Sequence, residues 1–256
     1  MNKPYLLSRF LIFILFILFF SGCAPLRPQT DPEMDKEALR LSHQAQSFNQ
    51  HITTSKGTGW ARLETKDGTI TYKIAWAAVY PNKIRMTFLM FAQPIETIIA
   101  TGKKVTFFSH TGKHAKRSIE SPDPDMENYI NVPIKMSEII AILLGRLPIK
   151  PYDDAYFSPS DNALSVVTLH QNLVGSVQVI NFDNNQTIDQ VSSIDSRGKR
   201  LYDYNILAFK SYDFGKLPVK IQFIDTKRQK LTLTITGFVV NPEVKDSVFM
   251  LTDQGS

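Results

Sequence analysis

The stretch Thr69–Tyr80, with the sequence TITYKIAWAAVY, decides the class of fold that the chain adopts. Alternate positions along it carry the apolar residues Ile70, Tyr72, Ile74, Trp76, Ala78 and Tyr80. Because successive side chains of a β-strand point to opposite faces, this period of two predicts a strand with one strongly apolar face. The next stretch, KIRMTFLM at Lys83–Met90, repeats the pattern and predicts a neighbouring strand.

Further strands are predicted on both sides of this pair, separated by turn sequences such as Asp67-Gly68 and Pro81-Asn82. Those in the first half are Gly59–Thr65, Ile95–Ala100, Val105–Ser109 and His114–Ile119. Those in the second half are Leu164–His170, Ser176–Phe182, Gln190–Asp195, Arg200–Lys210, Val219–Asp225 and Leu231–Val239. About eleven antiparallel strands make a sheet too wide to stay flat, so it must curl or close.

Two segments have helical spacing instead. The first begins at Asp31, which can cap it, and Pro32 suits its first turn. Its apolar residues recur at steps of three and four: Met34, Ala38, Leu41, Ala45, Phe48 and Ile52. The second helix, Ser137–Leu147, is predicted to be capped by Ser137 and is apolar on more than one side. We therefore expect both helices to pack on the concave side of the sheet, in one domain formed by residues 31–256.

The N-terminus has the pattern of an exported protein. Phe10–Phe20 is an unbroken apolar run of 11 residues. As a helix it would cover only about 16 Å of a hydrocarbon core of roughly 30 Å, which is short for a membrane span. Lys3 and Arg9 precede the run and Ser21-Gly22 follow it, which is the order of a secretory signal peptide.

Cys23 is the only cysteine of the chain, so it has no partner for an intramolecular disulfide. The sequence FSGC at Phe20–Cys23 resembles the lipobox of bacterial lipoproteins, whose cysteine carries acyl chains such as palmitate and becomes the mature N-terminus. This resemblance implies that residues 1–22 are a lipoprotein signal peptide and residues 23–30 an acylated tether. Ala24 favours the outer membrane, facing the periplasm. The alternative is an ordinary signal peptide with an incidental cysteine.

Charge and motif content argue against two classes of function. The formal net charge of +5 is too mild to indicate nucleic-acid binding. The sequence contains no nucleophile elbow, phosphate-binding glycine loop or Cys/His pair, so we expect neither an enzyme nor a cofactor. His110 and His114 are four residues apart, but Thr111-Gly112 between them indicates a turn and no metal site.

The order of these parts is similar to that of the LolB-like branch of the LolA/LolB/LppX lipid-carrier superfamily, over nearly all of the chain after residue 22. The resemblance rests on the lipobox, the first helix and the segments GTGWARLETKDG, YPNKIRMTFLMFAQPIETIIATGKKVTFFS, NVPIKMSEIIAILLGRLPI and NPEVKDSVFML. It implies a mainly β (α+β) fold, an incomplete antiparallel β-barrel of about eleven strands with a helical lid over an apolar cavity. It also implies a monomeric outer-membrane lipoprotein that accepts acyl chains of lipoproteins from a soluble LolA-like carrier and releases them into the membrane.

This resemblance assigns roles to the apolar residues of the predicted strands and second helix. The cavity residues would be Trp60, Ile74, Trp76, Met86, Phe88, Leu231, Leu233 and Ile235. The lid would present Ile139, Ile140, Leu143 and Leu144. The alternative is that all of them are ordinary core residues, and only a cavity left unfilled would separate the two interpretations.

The segment MFAQPIE at Met90–Glu96 aligns with the protruding loop that carries a membrane-inserting apolar residue in LolB. Gln93-Pro94 predicts the centre of a turn here. Phe91 or Ile95 would then enter the lipid, unless both turn inward as strand ends.

Two other functions stay open at this point. A protein of the same fold could bind a different hydrophobic ligand, such as a glycolipid. A structural lipoprotein in an envelope assembly would instead have a filled core and a protein partner.

Overall fold

The computed structural model describes residues 32–130, 132–158 and 166–251. The predicted signal peptide, Cys23, the tether and the predicted cap Asp31 lie outside these residues. Among the helices that are described, none has the length and apolar character needed to cross a membrane.

Strands dominate the described part of the chain. The first six are β1 (Thr54–Thr65), β2 (Gly68–Val79), β3 (Lys83–Met90), β4 (Gln93–Thr101), β5 (Val105–Ser109) and β6 (Arg117–Ile119). The next seven are β7 (Asp154–Phe157), β8 (Val166–Gln171), β9 (Gly175–Phe182), β10 (Ile188–Ile194), β11 (Arg200–Tyr212), β12 (Gly215–Asp225) and β13 (Lys230–Val240). The helices are α1 (Pro32–Ser47), α2 (Glu127–Ile130) and α3 (Met136–Leu143), followed by a 3₁₀ turn at Asp246–Phe249.

All 13 strands belong to one antiparallel sheet in the order β6-β5-β4-β3-β2-β1-β13-β12-β11-β10-β9-β8-β7. The pairing of β1 with β13 joins an N-terminal arm, β1–β6, to a C-terminal arm, β7–β13. The two outer strands, β6 and β7, do not pair with each other, so the sheet is an incomplete barrel. This confirms the predicted fold class, with 13 described strands where about eleven were expected.

Several strand boundaries differ from the prediction, and three of the differences are instructive. β1 begins at Thr54, five residues before the predicted start, because Gly57 and Gly59 continue the strand. β6 is only Arg117–Ile119, since the residues before it form the turn. β7 lies in a proline-rich region that has no clear alternation, and no strand was predicted there. Glycine and proline are weak strand formers, so local propensity points away from strands that tertiary pairing nevertheless stabilises.

The helices also begin and end differently from the prediction. α1 packs against β7 and β8 and buries Ala38, Leu41 and Ala45. α3 is shorter than the predicted Ser137–Leu147, and Lys135 occupies its N-cap position. Ser137 therefore does not cap the helix. Its backbone N–H and Oγ instead donate to the Asp123 carboxylate at 2.8 and 3.0 Å.

The antiparallel order places alternate turns at the same end of the strands. The β1–β2, β3–β4, β8–β9, β10–β11 and β12–β13 turns lie at one end, which we call the mouth end. The connection from β5 to β6, residues 110–116, lies there too. The turn between β4 and β5, with Lys103 and Lys104, lies at the opposite end.

Candidate functional site

A cavity of about 620 Å³ lies between the N-terminal arm and the helical segment that covers it. Its volume falls within the range of about 300–1,000 Å³ that is typical of ligand pockets. The sheet contributes the apolar residues Ala61, Leu63, Tyr72, Ile74, Met86, Phe88, Ile98, Phe107, Phe223, Leu231 and Leu233. The helical side contributes Tyr129, Ile130, Val132, Ile134, Ile139, Ile142 and Leu143. The walls are therefore hydrocarbon and aromatic over most of their area.

Several of the predicted residues do line this cavity. They are Ile74, Met86, Phe88, Leu231 and Leu233 from the sheet, and Ile139 and Leu143 from α3. Ile140 and Leu144 are fully buried in the core beside the cavity. The predicted cavity residue Ile235 is also buried. The structure thus brings most of the predicted set together around one space.

Trp60 does not line the cavity, and its prediction was wrong. Its side chain is 47 % exposed on the opposite face of β1. The cavity-facing positions of this strand are Ala61 and Leu63. Because side chains alternate, Trp60 cannot share their face. The cavity-facing positions of β1 carry smaller side chains than tryptophan. The size of the Trp60 ring led to its wrong assignment to the cavity.

Trp76 is buried beside the cavity and has a structural role there. Its Nε1–H donates to Ser55 Oγ at 3.1 Å and to the Leu143 carbonyl at 3.2 Å. Its ring fills the space over Gly57, where an added Cβ would lie 2.2 Å from Cζ2. Ser55 Oγ also donates to the Leu143 carbonyl, at 2.7 Å. These bonds attach the last turn of α3 to the sheet.

The other end of α3 is attached as well. The Tyr202 hydroxyl of β11 donates to Glu138 Oε1 at 2.7 Å, while Glu138 Oε2 accepts the Lys135 N–H at 2.9 Å. Burial, followed by the charge of Glu138, raises the pKa of the Tyr202 hydroxyl well above its usual value. With Asp123 holding Ser137, these contacts make α3 a fixed wall of the cavity in this conformation.

The segment just after α3 adds two further buried polar contacts. The Asn49 amide donates to the Gly145 carbonyl at 2.8 Å. The Arg146 guanidinium donates to the Ile52 carbonyl at 2.7 Å and lies 4.1 Å from the centre of the Tyr80 ring. Burial lowers the pKa of Arg146 from its usual value. These hydrogen bonds tie the segment after α3 to the residues between α1 and β1.

Polar side chains collect at one margin of the cavity, at the mouth end of the sheet. They are Glu96, Ser109, Thr111, Lys113, His114, Arg117 and Asn128. His114 lies between two acceptors, with Nε2 2.9 Å from Glu96 Oε2 and Nδ1 2.8 Å from the Ala115 carbonyl. A neutral imidazole has only one N–H, so both bonds form only when the ring is protonated. The Ala115 carbonyl, and after it Glu96, accordingly raise the pKa of His114.

The histidine spacing noted in the sequence belongs to a turn. Gly112 between the two histidines has φ of +71°. His110 Nε2 lies 2.8 Å from Thr97 Oγ1, away from the Glu96 pair of His114. Within residues 32–130, 132–158 and 166–251, no group of three or more potential metal ligands comes together.

The β3–β4 hairpin ends in an exposed aromatic residue. Phe91 is 95 % exposed, and both Phe91 (φ +49°) and Ala92 (φ +65°) have left-handed backbones. Two such residues form a tight hairpin turn of the type normally occupied by asparagine and glycine. The turn is therefore centred on Phe91-Ala92, and the predicted centre Gln93-Pro94 instead begins β4. Ile95, the other predicted insertion residue, lines the cavity.

Sequence reasoning missed the polar margin and part of the helical cover. Tyr129 lies in α2 and stacks on Phe107, with ring centres 4.2 Å apart and planes inclined by 11°. The segment SPDPDMEN at residues 121–128, which precedes Tyr129, is rich in acidic residues and prolines and gives no sequence signal of the apolar side chains that follow it. The contact of Glu96 with His114 joins β4 to the connection between β5 and β6, and no local sequence pattern indicates it.

No protein-family model matches this sequence, and no curated protein matches it at a significant level. Solved structures are similar in fold. A DUF1329 family protein from Desulfovibrio piger superposes with a TM-score of 0.62 at 8% identity, covering 86% of this chain and 98% of that one.

Two further solved structures resemble the chain over nearly their whole length. A LolA superfamily protein from Nitrosomonas europaea gives a TM-score of 0.56 at 10% identity, covering 84% of this chain and 97% of the other. A protein domain from Vibrio parahaemolyticus, described as outer membrane lipoprotein-sorting, gives 0.56 at 9% identity with the same coverage. Identities this low establish the fold alone, and the chain has the incomplete-barrel fold of these LolA-superfamily structures.

Proposed function

We propose that this protein binds acyl chains and takes part in lipoprotein or lipid transfer and insertion at the outer membrane, in the manner of LolB-type lipoproteins. The observation that carries the proposal is the apolar cavity of about 620 Å³, which side chains leave unfilled. The similarity to a lipoprotein-sorting domain supports it. The cavity also argues against a structural lipoprotein, because such a protein gains nothing from an unfilled core.

Transfer in this proposal needs no chemical step by the protein. Each CH₂ group moved from water into an apolar environment contributes about 0.8 kcal/mol. The cavity, a soluble LolA-like carrier and the bilayer all offer such environments. The acyl chain therefore passes to whichever of them has the higher affinity, and the protein lowers the barrier by keeping the chain out of water.

The anchor completes the proposal. Acylation of Cys23 after removal of residues 1–22 would hold the protein on the periplasmic face of the outer membrane. Two or three acyl chains are sufficient for stable attachment. Residues 23–30 would then act as the tether of the domain.

The exposed Phe91 is proposed to touch the bilayer during transfer. It lies at the mouth end of the sheet, as do the polar margin of the cavity and the neighbouring exposed residue Met90. An aromatic side chain held out by a tight turn has no packing partner in the fold, but it gains by burial in the lipid interface. An acyl chain that leaves the cavity at this end would then enter the membrane next to Phe91.

The first experiment measures binding of a fluorescent fatty acid to residues 24–256, which contain every described element and lack the acylation site. We expect saturable binding at micromolar concentration or tighter. Ile139→Trp should weaken it by narrowing the cavity, and Leu39→Trp on the exposed face of α1 is the matched control. A folded domain with no binding would contradict the proposal.

A second experiment tests the contact with the bilayer. Phe91→Glu should reduce release of an acylated peptide into liposomes while leaving fatty-acid binding intact. Leu173→Glu is the control, because Leu173 is also fully exposed at a hairpin tip of the mouth end, but in the other arm. Unchanged release by the Phe91 variant would remove this residue from the proposal.

A further inference from the structure

The polar margin of the cavity is strongly biased towards positive charge. Lys113, His114 and Arg117 all border the cavity. Glu96 is the single acidic side chain among the described residues that line it. An apolar cavity that only had to enclose hydrocarbon would gain nothing from three basic groups at its margin.

Glu96 compensates only one of these groups. Its Oε2 is 2.9 Å from His114 Nε2, and the Ala115 carbonyl, followed by Glu96, raises the pKa of the imidazole. The side chains of Lys113 and Arg117 make no ion pair with any described residue that borders the cavity. Two cationic groups at this margin therefore remain available for a ligand.

Neutral hydrogen-bonding groups accompany the cations. Asn128 approaches the margin from α2, and Thr111 lies in the turn before Lys113. The Lys113 backbone N–H donates to Ser109 Oγ at 3.2 Å, which ties the basic turn to the end of β5. The margin thus combines positive charge with hydrogen-bonding side chains from α2 and from the β5–β6 connection.

We infer that the ligand is an amphiphile with an anionic head group, phosphate or carboxylate, whose head is bound by Lys113 and Arg117 while its hydrocarbon chain fills the cavity. The inference rests on the proposed function and names the class of ligand for the same site. Charge-assisted hydrogen bonds from lysine and arginine are the usual means of recognising phosphate and carboxylate. The acylated cysteine of a lipoprotein has no charge on its glycerol or amide groups, so these cations favour an anionic lipid.

The test compares ligands with the same chain and different heads, each below its critical micelle concentration. Residues 24–256 are titrated with oleoyl lysophosphatidylglycerol and oleoyl lysophosphatidylcholine, and with oleate and oleyl alcohol, by displacement of the fluorescent fatty acid. We expect at least one anionic ligand to bind about tenfold more tightly than its neutral counterpart. The pair that shows the larger preference identifies the head as phosphate or carboxylate.

The double variant Lys113→Ala/Arg117→Ala should lose this preference and keep its affinity for the neutral ligands. The control is Lys103→Ala/Lys104→Ala, which removes the same net charge from the opposite end of the sheet and should keep the preference. The preference should also shrink at high salt, because the groups are partly solvated.

The outcomes separate the inference from the function on which it rests. Equal affinity for anionic and neutral ligands by a protein that binds both would overturn the inference and leave the proposed function standing. A preference that survives in the Lys113/Arg117 variant would also overturn it, because the head would then bind elsewhere. Failure to bind any of the four ligands would count against the proposed function itself.

Discussion

The two arms of the sheet carry similar inward-facing apolar residues, yet the cavity lies against the N-terminal arm and the adjoining strands β12 and β13. In the C-terminal arm the inner side chains are closely packed, and Val167, Leu169, Ile180 and Val191 are completely buried. No described residue of β7–β11 lines the cavity. Similar strand patterns therefore lead to a filled core against β7–β11 and to a ligand-sized space against β1–β5.

The difference lies in how each covering helix approaches its arm. α1 meets β7 and β8 with the small residues Ala38, Ser42 and Ala45, so the helix can come close to the strands. α3 is attached at each end by polar contacts, to Tyr202 at one end and to Ser55 and Trp76 at the other. We infer that these hydrogen bonds fix the position of α3, and the space between α3 and β3–β5 stays open.

The largest expected effect comes from removing matching leucines in the two arms. Leu169→Ala in the filled arm should lower the free energy of unfolding by about 3 kcal/mol, because it leaves a hole among tightly packed groups. Leu63→Ala in β1 should cost only about 1 kcal/mol, since its side chain already faces the cavity. Urea denaturation of both variants measures the difference. Equal costs would mean that the two arms are packed alike.

A second pair sharpens the comparison at α3. Tyr202→Phe removes the hydrogen bond to Glu138 and should cost about 1–2 kcal/mol of stability. Tyr204, on the same strand, is fully buried and its hydroxyl has no hydrogen-bond partner among the described residues. Tyr204→Phe should therefore be neutral or slightly stabilising. The same denaturation experiment compares them, and equal losses would contradict the anchoring role of Tyr202.

The tip of the β3–β4 hairpin should show a smaller effect, which comes from the left-handed backbone of Phe91. Phe91→Gly should stabilise the protein by up to about 1 kcal/mol, because glycine adopts the left-handed conformation without steric strain. Phe91→Ala retains the strain and should leave stability nearly unchanged, while both variants lose the proposed contact with lipid. Thermal unfolding and liposome release, measured on the same samples, would show whether strain and function are separable. A loss of stability in Phe91→Gly would contradict the presence of backbone strain at Phe91.

The smallest effect is the pH dependence contributed by His114. Its pKa is raised in the folded protein by the Ala115 carbonyl and Glu96, with Arg117 opposing. The stabilisation is therefore fully present below the unfolded pKa of about 6.5 and is lost as the pH rises through the folded value. The difference in melting temperature between the wild type and His114→Gln should shrink over that interval. A difference that grows with pH would contradict this assignment.

Much of the fold could be predicted from local pattern. The alternation of apolar residues predicted β2 and β3 to within a residue or so, and the recurrence of apolar residues every three or four positions predicted α1. β7 was not predicted, since its strand conformation depends on pairing with β8. The turn at Phe91-Ala92 was also missed, because hydrogen bonding between β3 and β4 imposes left-handed backbones on residues that would not choose them.

The candidate site could be predicted less completely. Ile74 and Trp76 share a strand and a face, yet only Ile74 lines the cavity. The alternation of side chains specifies a face and says nothing of the distance to the layer above it. The basic margin was missed because Glu96 is brought to His114 by the pairing of β4 with β5 and by the turn that follows β5.

The sequence by itself determined the class of the fold, because strand and helix periods are local properties of the chain. It also determined which faces of the strands are apolar. The tertiary structure decided which apolar face would be filled and which would enclose a cavity. That outcome depends on the position of α3, which is set by contacts between residues far apart in the chain, such as Glu138 and Tyr202. The local sequence pattern does not specify the distance between a helix and the sheet, because that distance is set by such long-range contacts.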